Sequence, residues 1–305
     1  MFKGFFNRMY NGNPDRPDLD PGDMPRNRFE LFFTTLGVRI GDLIKLNLLL
    51  IVFLLPVEFW TAWTLFAMNA GLEGFDLSGG IPQVVGENLL SQLSFYLLVN
   101  IVLLPLAGPP LAGATYVLRN YARDEHAWLW SDFKEHMKAN WKQSMLLMLI
   151  LALIMFLSYL VIFMYVGLLE TQQWVWFMLM LYIMFLGMFV LSFMYSFPMM
   201  VTYKLKLGQI LRNSMMLSLG RLPFTLIFGA LAVIPVVLGI LIFGVTASPI
   251  AFLALILYYA LLGLTLTGFI TNSYTNATFD RLMRAESGQD DRRPPLDPED
   301  REIKP

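Results

Sequence analysis

Six long apolar stretches, Leu46 to Ala67, Leu93 to Leu118, Ser144 to Leu169, Trp174 to Tyr203, Phe224 to Thr246 and Pro249 to Thr271, hold about half of the chain and a single formal charge, Glu58. Each exceeds the roughly 20 residues that a helix needs to cross a ~30 Å hydrocarbon core. A soluble fold can hide one such helix, but it has no interior large enough for six in succession. The charge content agrees: 15% of the residues are charged, against about 25% in an ordinary globular domain. The expected fold class is therefore all-α, a polytopic membrane protein with six transmembrane helices and amphipathic cytoplasmic surface helices. Its first partner is the lipid bilayer.

The 22 Lys and Arg residues are segregated. Seven lie in the segment up to Lys45, five between Arg119 and Lys142, four between Lys204 and Arg221, and six from Arg281 onward. The other three connections, Asn69 to Gln92, Glu170 to Gln173 and Ala247 to Ser248, have none. Basic residues in short loops stay on the cytoplasmic side, so both termini are expected in the cytoplasm and the chain in the cell membrane. The net charge of −1 gives no electrostatic reason to bind nucleic acid. The absence of cysteine removes disulfides, thiolate catalysis and Cys-ligated metals. Met1 to Tyr10 carries two basic residues but no following apolar run, and is not expected to act as a cleavable signal. Residues 1–27 and 285–305 are rich in Pro, Asp and Arg and are expected to be disordered cytoplasmic tails around a membrane domain at 28–284.

Three segments between the apolar stretches show helical periodicity. Trp130, Phe133, Met137 and Trp141 recur at helical spacing, with Asp132, Glu135, Lys138 and Lys142 elsewhere on the wheel. Phe29 to Ile44 sets Phe32, Phe33, Leu36, Ile40 and Leu43 against Arg39 and Asp42, and Gly208 to Leu219 ends on the stop signals Gly220 and Pro223. Each reads as a helix lying on the membrane surface and leads into an odd-numbered span, so the chain reads as three units of surface helix plus hairpin. Two roles fit these helices: interfacial anchoring, and a docking face whose candidate contacts are Trp130, Phe133, Met137 and Trp141, because indoles bury large area at low entropy cost.

The stretch from Pro105 to Lys142 contains Pro105, Gly108 and Pro109, then Gly113-Ala114-Thr115, Arg119-Asn120, Trp130-Ser131-Asp132-Phe133 and Asn140-Trp141-Lys142. Together with Phe5-Phe6-Asn7, Gly41-Asp42, Leu46-Asn47 and Leu55-Pro56, it resembles the YesL-like family of bacterial integral membrane proteins, whose molecular function is unknown. The chain departs from shorter members by a longer N-terminal lead and an extra loop between the first two spans. The resemblance implies a membrane protein of a Gram-positive bacterium, encoded near carbohydrate uptake systems of the ABC type, whose subunits are then candidate partners.

Motifs for chemistry are sparse. His126 and His136 are ten residues apart, whereas a ligand pair on one helix needs a separation of three or four. The Walker phosphate loop, the dinucleotide fingerprint and Gly-x-Ser-x-Gly are absent. No catalytic, cofactor or metal site is expected, and the chain is not expected to be an enzyme. Glu58 lies about 18 Å of helical rise beyond Leu46; an intramembrane carboxylate is a functional candidate, and the alternative is that it reaches the outer interface beside Trp60 and Trp63. Pro105, Pro109 and Pro110 are expected to kink or break the second span. Broken helices near a polar residue such as Asn100 build transporter sites; a packing kink is the other reading. The methionines between Met145 and Met200 read as core fillers. The function expected from these features is a non-enzymatic accessory or scaffold role associated with carbohydrate uptake, the alternative being a permease for a small neutral solute.

Overall fold

A computed structural model describes residues 28–72, 82–169, 172–246 and 249–286. The sequence-based tails at 1–27 and beyond 286 lie outside the described residues, as do the Gly79-Gly80 turn and Ala247 to Ser248. Among the described residues all regular structure is helical. Five helices are long and apolar enough to cross a membrane, and six if a pair bent by 100°, Leu207–Gly220 with Leu222–Pro235, is taken as one span. The described residues thus carry five to six helices fit to span a membrane, as in a multi-pass membrane protein.

The first helix, α1, runs from Arg28 to Ala70 without interruption. At 1.5 Å per residue its 43 residues reach about 65 Å, roughly twice the hydrocarbon thickness. This corrects the separate surface helix expected at Phe29 to Ile44. Nothing between Ile44 and Leu46 stops a helix, and Phe32, Leu36 and Leu43 of the stripe pack on the protein core, while Phe33 and Ile40 stay exposed. Phe32 stacks on Phe269 at 4.9 Å, and Leu43 and Leu46 are buried.

The second helix, α2 (Gln83–Ala122), includes residues 83–92, which the apolar pattern assigns to an outer loop, and it contains Pro105, Pro109 and Pro110. Of the kink or break expected there, the break does not occur: the helix is continuous through all three prolines. Close packing explains the unusual composition. A Cβ on Gly108 would sit 2.4 Å from the Ser144 carbonyl oxygen, and one on Gly113 would sit 2.5 Å from that of Phe133. Small residues allow helices in a membrane to meet backbone to backbone, so this Pro/Gly run is a contact surface for the next two helices.

Those helices are α3 (Leu129–Ala139) and α4 (Trp141–Leu168). After α5 (Val175–Thr202) come α6 (Leu207–Gly220) and α7 (Leu222–Thr246). The last span is composite: α8 (Pro249–Tyr258), a π-helical turn Tyr259–Gly263, and α9 (Leu264–Glu286). A π turn frees backbone carbonyls from the regular ladder, and here Asn47, with no exposed surface, closes them. Its Nδ2 donates to the Tyr259 and Ala260 carbonyls at 2.8 and 2.9 Å, while its Oδ1 accepts from the Thr265 N–H at 3.0 Å.

The tightly packed core lies toward one end of the bundle. Leu43, Leu46 and Leu50 of α1, Val117, Leu118 and Tyr121 of α2, Phe133 of α3 and Phe269 of α9 form its main cluster. Tyr195 and Met199 of α5 with Tyr274 and Phe279 of α9 form a second. Elsewhere the helices expose Leu, Phe, Ile and Val outward, the exterior that hydrocarbon covers.

Candidate functional site

The same end of the bundle collects the basic connections. Arg39 of α1 lies 4.6 Å from the Tyr121 ring centroid. Asn276 of α9 donates to the Arg119 carbonyl of α2 at 3.4 Å, and Arg221, just before α7, donates to Thr278 at 3.5 Å. These contacts bring α1, α2, α7 and α9 together where the Lys and Arg residues are concentrated.

The short helix α3 is mounted on this end. Its N-terminus is closed by Asp132, whose Oδ2 accepts the Trp128 N–H at 2.8 Å. Phe133 is 0% exposed, 5.7 Å from Phe53 of α1 and against Gly113 of α2. Met137 is half-buried on the same face. His136 stacks on Tyr116, centroids 3.3 Å apart and nearly parallel, and burial holds its pKa below the usual histidine value. Trp130 and Trp141 remain 54% and 49% exposed. The four residues sharing one periodicity therefore divide: Phe133 and Met137 fasten α3 to the bundle, and Trp130 and Trp141 face outward.

The intramembrane pair does not assemble into one site. Glu58 is exposed on α1. Asn100 is buried in α2 and donates from Nδ2 to the Tyr96 carbonyl of its own helix at 2.9 Å, leaving its Oδ1 without a partner. Among the described residues no three His, Asp or Glu side chains form a group that could hold a metal ion. His126 meets Trp128 edge to face, apart from the Tyr116 stack of His136.

A different polar site exists that the charge pattern does not reveal. Along α9, Thr265, Asn272, Thr275, Asn276 and Thr278 are all buried. Facing helices add polar groups: the Tyr195 hydroxyl of α5 bonds to the hydroxyls of Tyr274 at 2.9 Å and Thr225 at 2.8 Å. Asn272 Oδ1 of α9, and Arg119 Nε on the residue whose carbonyl accepts from Asn276, are buried with no hydrogen-bond partner. The signal was present in the sequence as the uncharged run Thr271-Asn272-Ser273-Tyr274-Thr275-Asn276, directly after the last apolar stretch. Counting charges passes over it. Such an interior offers neutral donors and acceptors in place of charge.

Residues 43–162 match the model of a family described as a protein of unknown function, DUF624. The match runs from α1 through α2 and α3 into α4, and so includes Asn47, the Gly108 and Gly113 contacts, and α3 with its tryptophans. No curated protein and no solved structure matches the chain.

Proposed function

We propose that this chain is a non-enzymatic accessory component of a Gram-positive cell membrane, with both termini in the cytoplasm, that serves a carbohydrate uptake system of the ABC type through the basic end of its bundle. The YesL-like resemblance supplies the association with carbohydrate uptake. The observation that carries the docking role is the division of one periodicity running from α3 into the start of α4: Phe133 and Met137 are spent on the bundle, while Trp130 of α3 and Trp141 of α4 stand half out of it. Indoles carried at the edge of helices already fixed to the bundle present rigid anchors, which lose little entropy on binding. The interfacial alternative uses the same indoles as membrane anchors.

Affinity purification from mild detergent separates the two. Transporter subunits are expected to co-purify with the wild-type chain. The double variant Trp130→Ala/Trp141→Ala should lower recovery about tenfold or more, the range for losing hot-spot aromatics, with unchanged membrane insertion. Unchanged recovery in the variant would place the contact elsewhere. A second reading, a permease for a small neutral solute, draws on the unpartnered polar atoms around α9. Its mark is solute flux by the purified protein in liposomes, with no transporter subunit in the preparation.

A further inference from the structure

Where α4 begins and α5 ends, the structure leaves a cavity of about 770 Å³. Its walls are the α3–α4 junction and the segment joining α5 to α6, so it opens at the end of two membrane helices. Lys142 and Lys204 line it together with Asn140, Trp141 and Gln143, and Met200 contributes to its apolar lining. No Asp or Glu lines it. Lys142 Nζ lies 5.4 Å from the Trp141 ring centroid. Burial favours the neutral form of His136, also in the lining, so the positive charge there comes from the two lysines.

The two walls are tied together. Gln143 Nε2 donates to the Leu205 carbonyl at 2.9 Å, which holds the segment carrying Lys204 against the start of α4. The Asn140 side chain turns backward to the His136 carbonyl at 3.0 Å, and no side chain caps the first turn of α4. That turn adds the partial positive charge of a helix start to the lysines. Beyond the cavity, α4 exposes Leu146, Leu153 and Leu157 along its length. A basic, polar pocket that passes into an apolar helix surface fits a molecule with a negative head and hydrocarbon tails, and basic pockets between membrane helices take anionic headgroups.

We propose that this cavity binds the phosphodiester headgroup of an anionic membrane phospholipid, with Lys142 and Lys204 as its charge partners and the acyl chains lying along the exposed face of α4. The site goes beyond the docking role; it shares Trp141 with the docking face and does not depend on Trp130.

The test uses the purified full chain in mild detergent, phosphatidylglycerol as the probe, and native mass spectrometry to count retained lipid. Phosphatidylglycerol should be retained and phosphatidylcholine should not. Lys142→Ala/Lys204→Ala should weaken retention about thirtyfold, the effect of removing two basic groups at a membrane surface. Lys134→Ala/Lys138→Ala, which removes the same charge from α3 outside the cavity, should leave it unchanged. Because Lys142 and Lys204 are exposed, both variants should fold, and Lys204→Glu alone should also weaken retention. Equal retention of the two lipids, equal retention by the wild type and the Lys142/Lys204 variant, or full displacement by excess inorganic phosphate would overturn the proposal, the last by showing a site for free phosphate. Trp130 and Trp141 are intact in these variants, so their failure to retain lipid leaves the docking test unaffected.

Discussion

Asn47→Ala removes the side chain that closes the Tyr259 and Ala260 carbonyls and the Thr265 N–H. Hydrogen bonds between membrane helices average about 0.6 kcal/mol each, so losing three should cost about 2 kcal/mol, read as a lower midpoint in an SDS titration of the purified protein. Asn47 was visible in the sequence as part of the Leu46-Asn47 pair, but its partners lie more than 200 residues away, and no local pattern connects them. Glu58 drew attention for the opposite reason: a carboxylate in an apolar run is conspicuous whether or not it meets anything. His136 belongs to this scale too. Its folded-state pKa is lowered from 6.5 by burial, so folding favours the neutral ring. That contribution is complete above the unfolded value and is lost as pH falls through 6.5 toward the folded value. The wild type should therefore lose thermal stability between pH 7.5 and 5.5, and His136→Gln should flatten that part of the profile.

Among the elements, α2 carries three prolines without a break. Pro105, Pro109 and Pro110 remove three backbone donors, yet the helix continues because its small residues lie against α3 and α4 at van der Waals range. Gly108→Ala should cost about 1–3 kcal/mol, since its Cβ meets Ser144 backbone that cannot swing aside. Gly37→Ala in α1 meets nothing within 4 Å and should instead stabilise by about 0.5–1 kcal/mol through helix propensity. The two variants, compared in one denaturation series, separate contact glycines from incidental ones. The apolar stretches were legible as helices because length and hydropathy suffice for a span. Helix ends were not, because amphipathic periodicity is the same whether the stripe covers lipid, as expected for Phe29 to Ile44, or a neighbouring helix, as Phe32 covers Phe269.

At the scale of the molecule, segregated charge and packed core coincide: the tightest clusters and the basic connections occupy the same end. The structure explains the contacts within that end, and labelling can give its side. The chain has no cysteine, so single substitutions report cleanly. Gln173→Cys, exposed beside the α4–α5 connection, should react with a membrane-impermeant maleimide on intact cells, whereas Lys206→Cys, exposed just before α6, should react only after permeabilisation. The reverse pattern would invert the topology. The polar interior along α9 is not legible from charge, because Thr and Asn carry none and the run from Asn272 to Asn276 directly follows an apolar stretch.

The π turn at Tyr259–Gly263 sets the angular phase of everything after it. An α-helix advances about 100° per residue, and a π turn holds one more residue than an α turn, so the segment after it lies about 100° behind where unbroken α winding would put it. Before the turn, Ile250, Leu253, Ile256 and Leu257 point outward; after it, Asn272, Thr275 and Thr278 are enclosed. Winding the same residues as regular α-helix, without the π turn, would swing α9 by about 100°, carrying amides and hydroxyls toward hydrocarbon. A single extra residue thus serves as a phase shifter between an oily helix and a wet one.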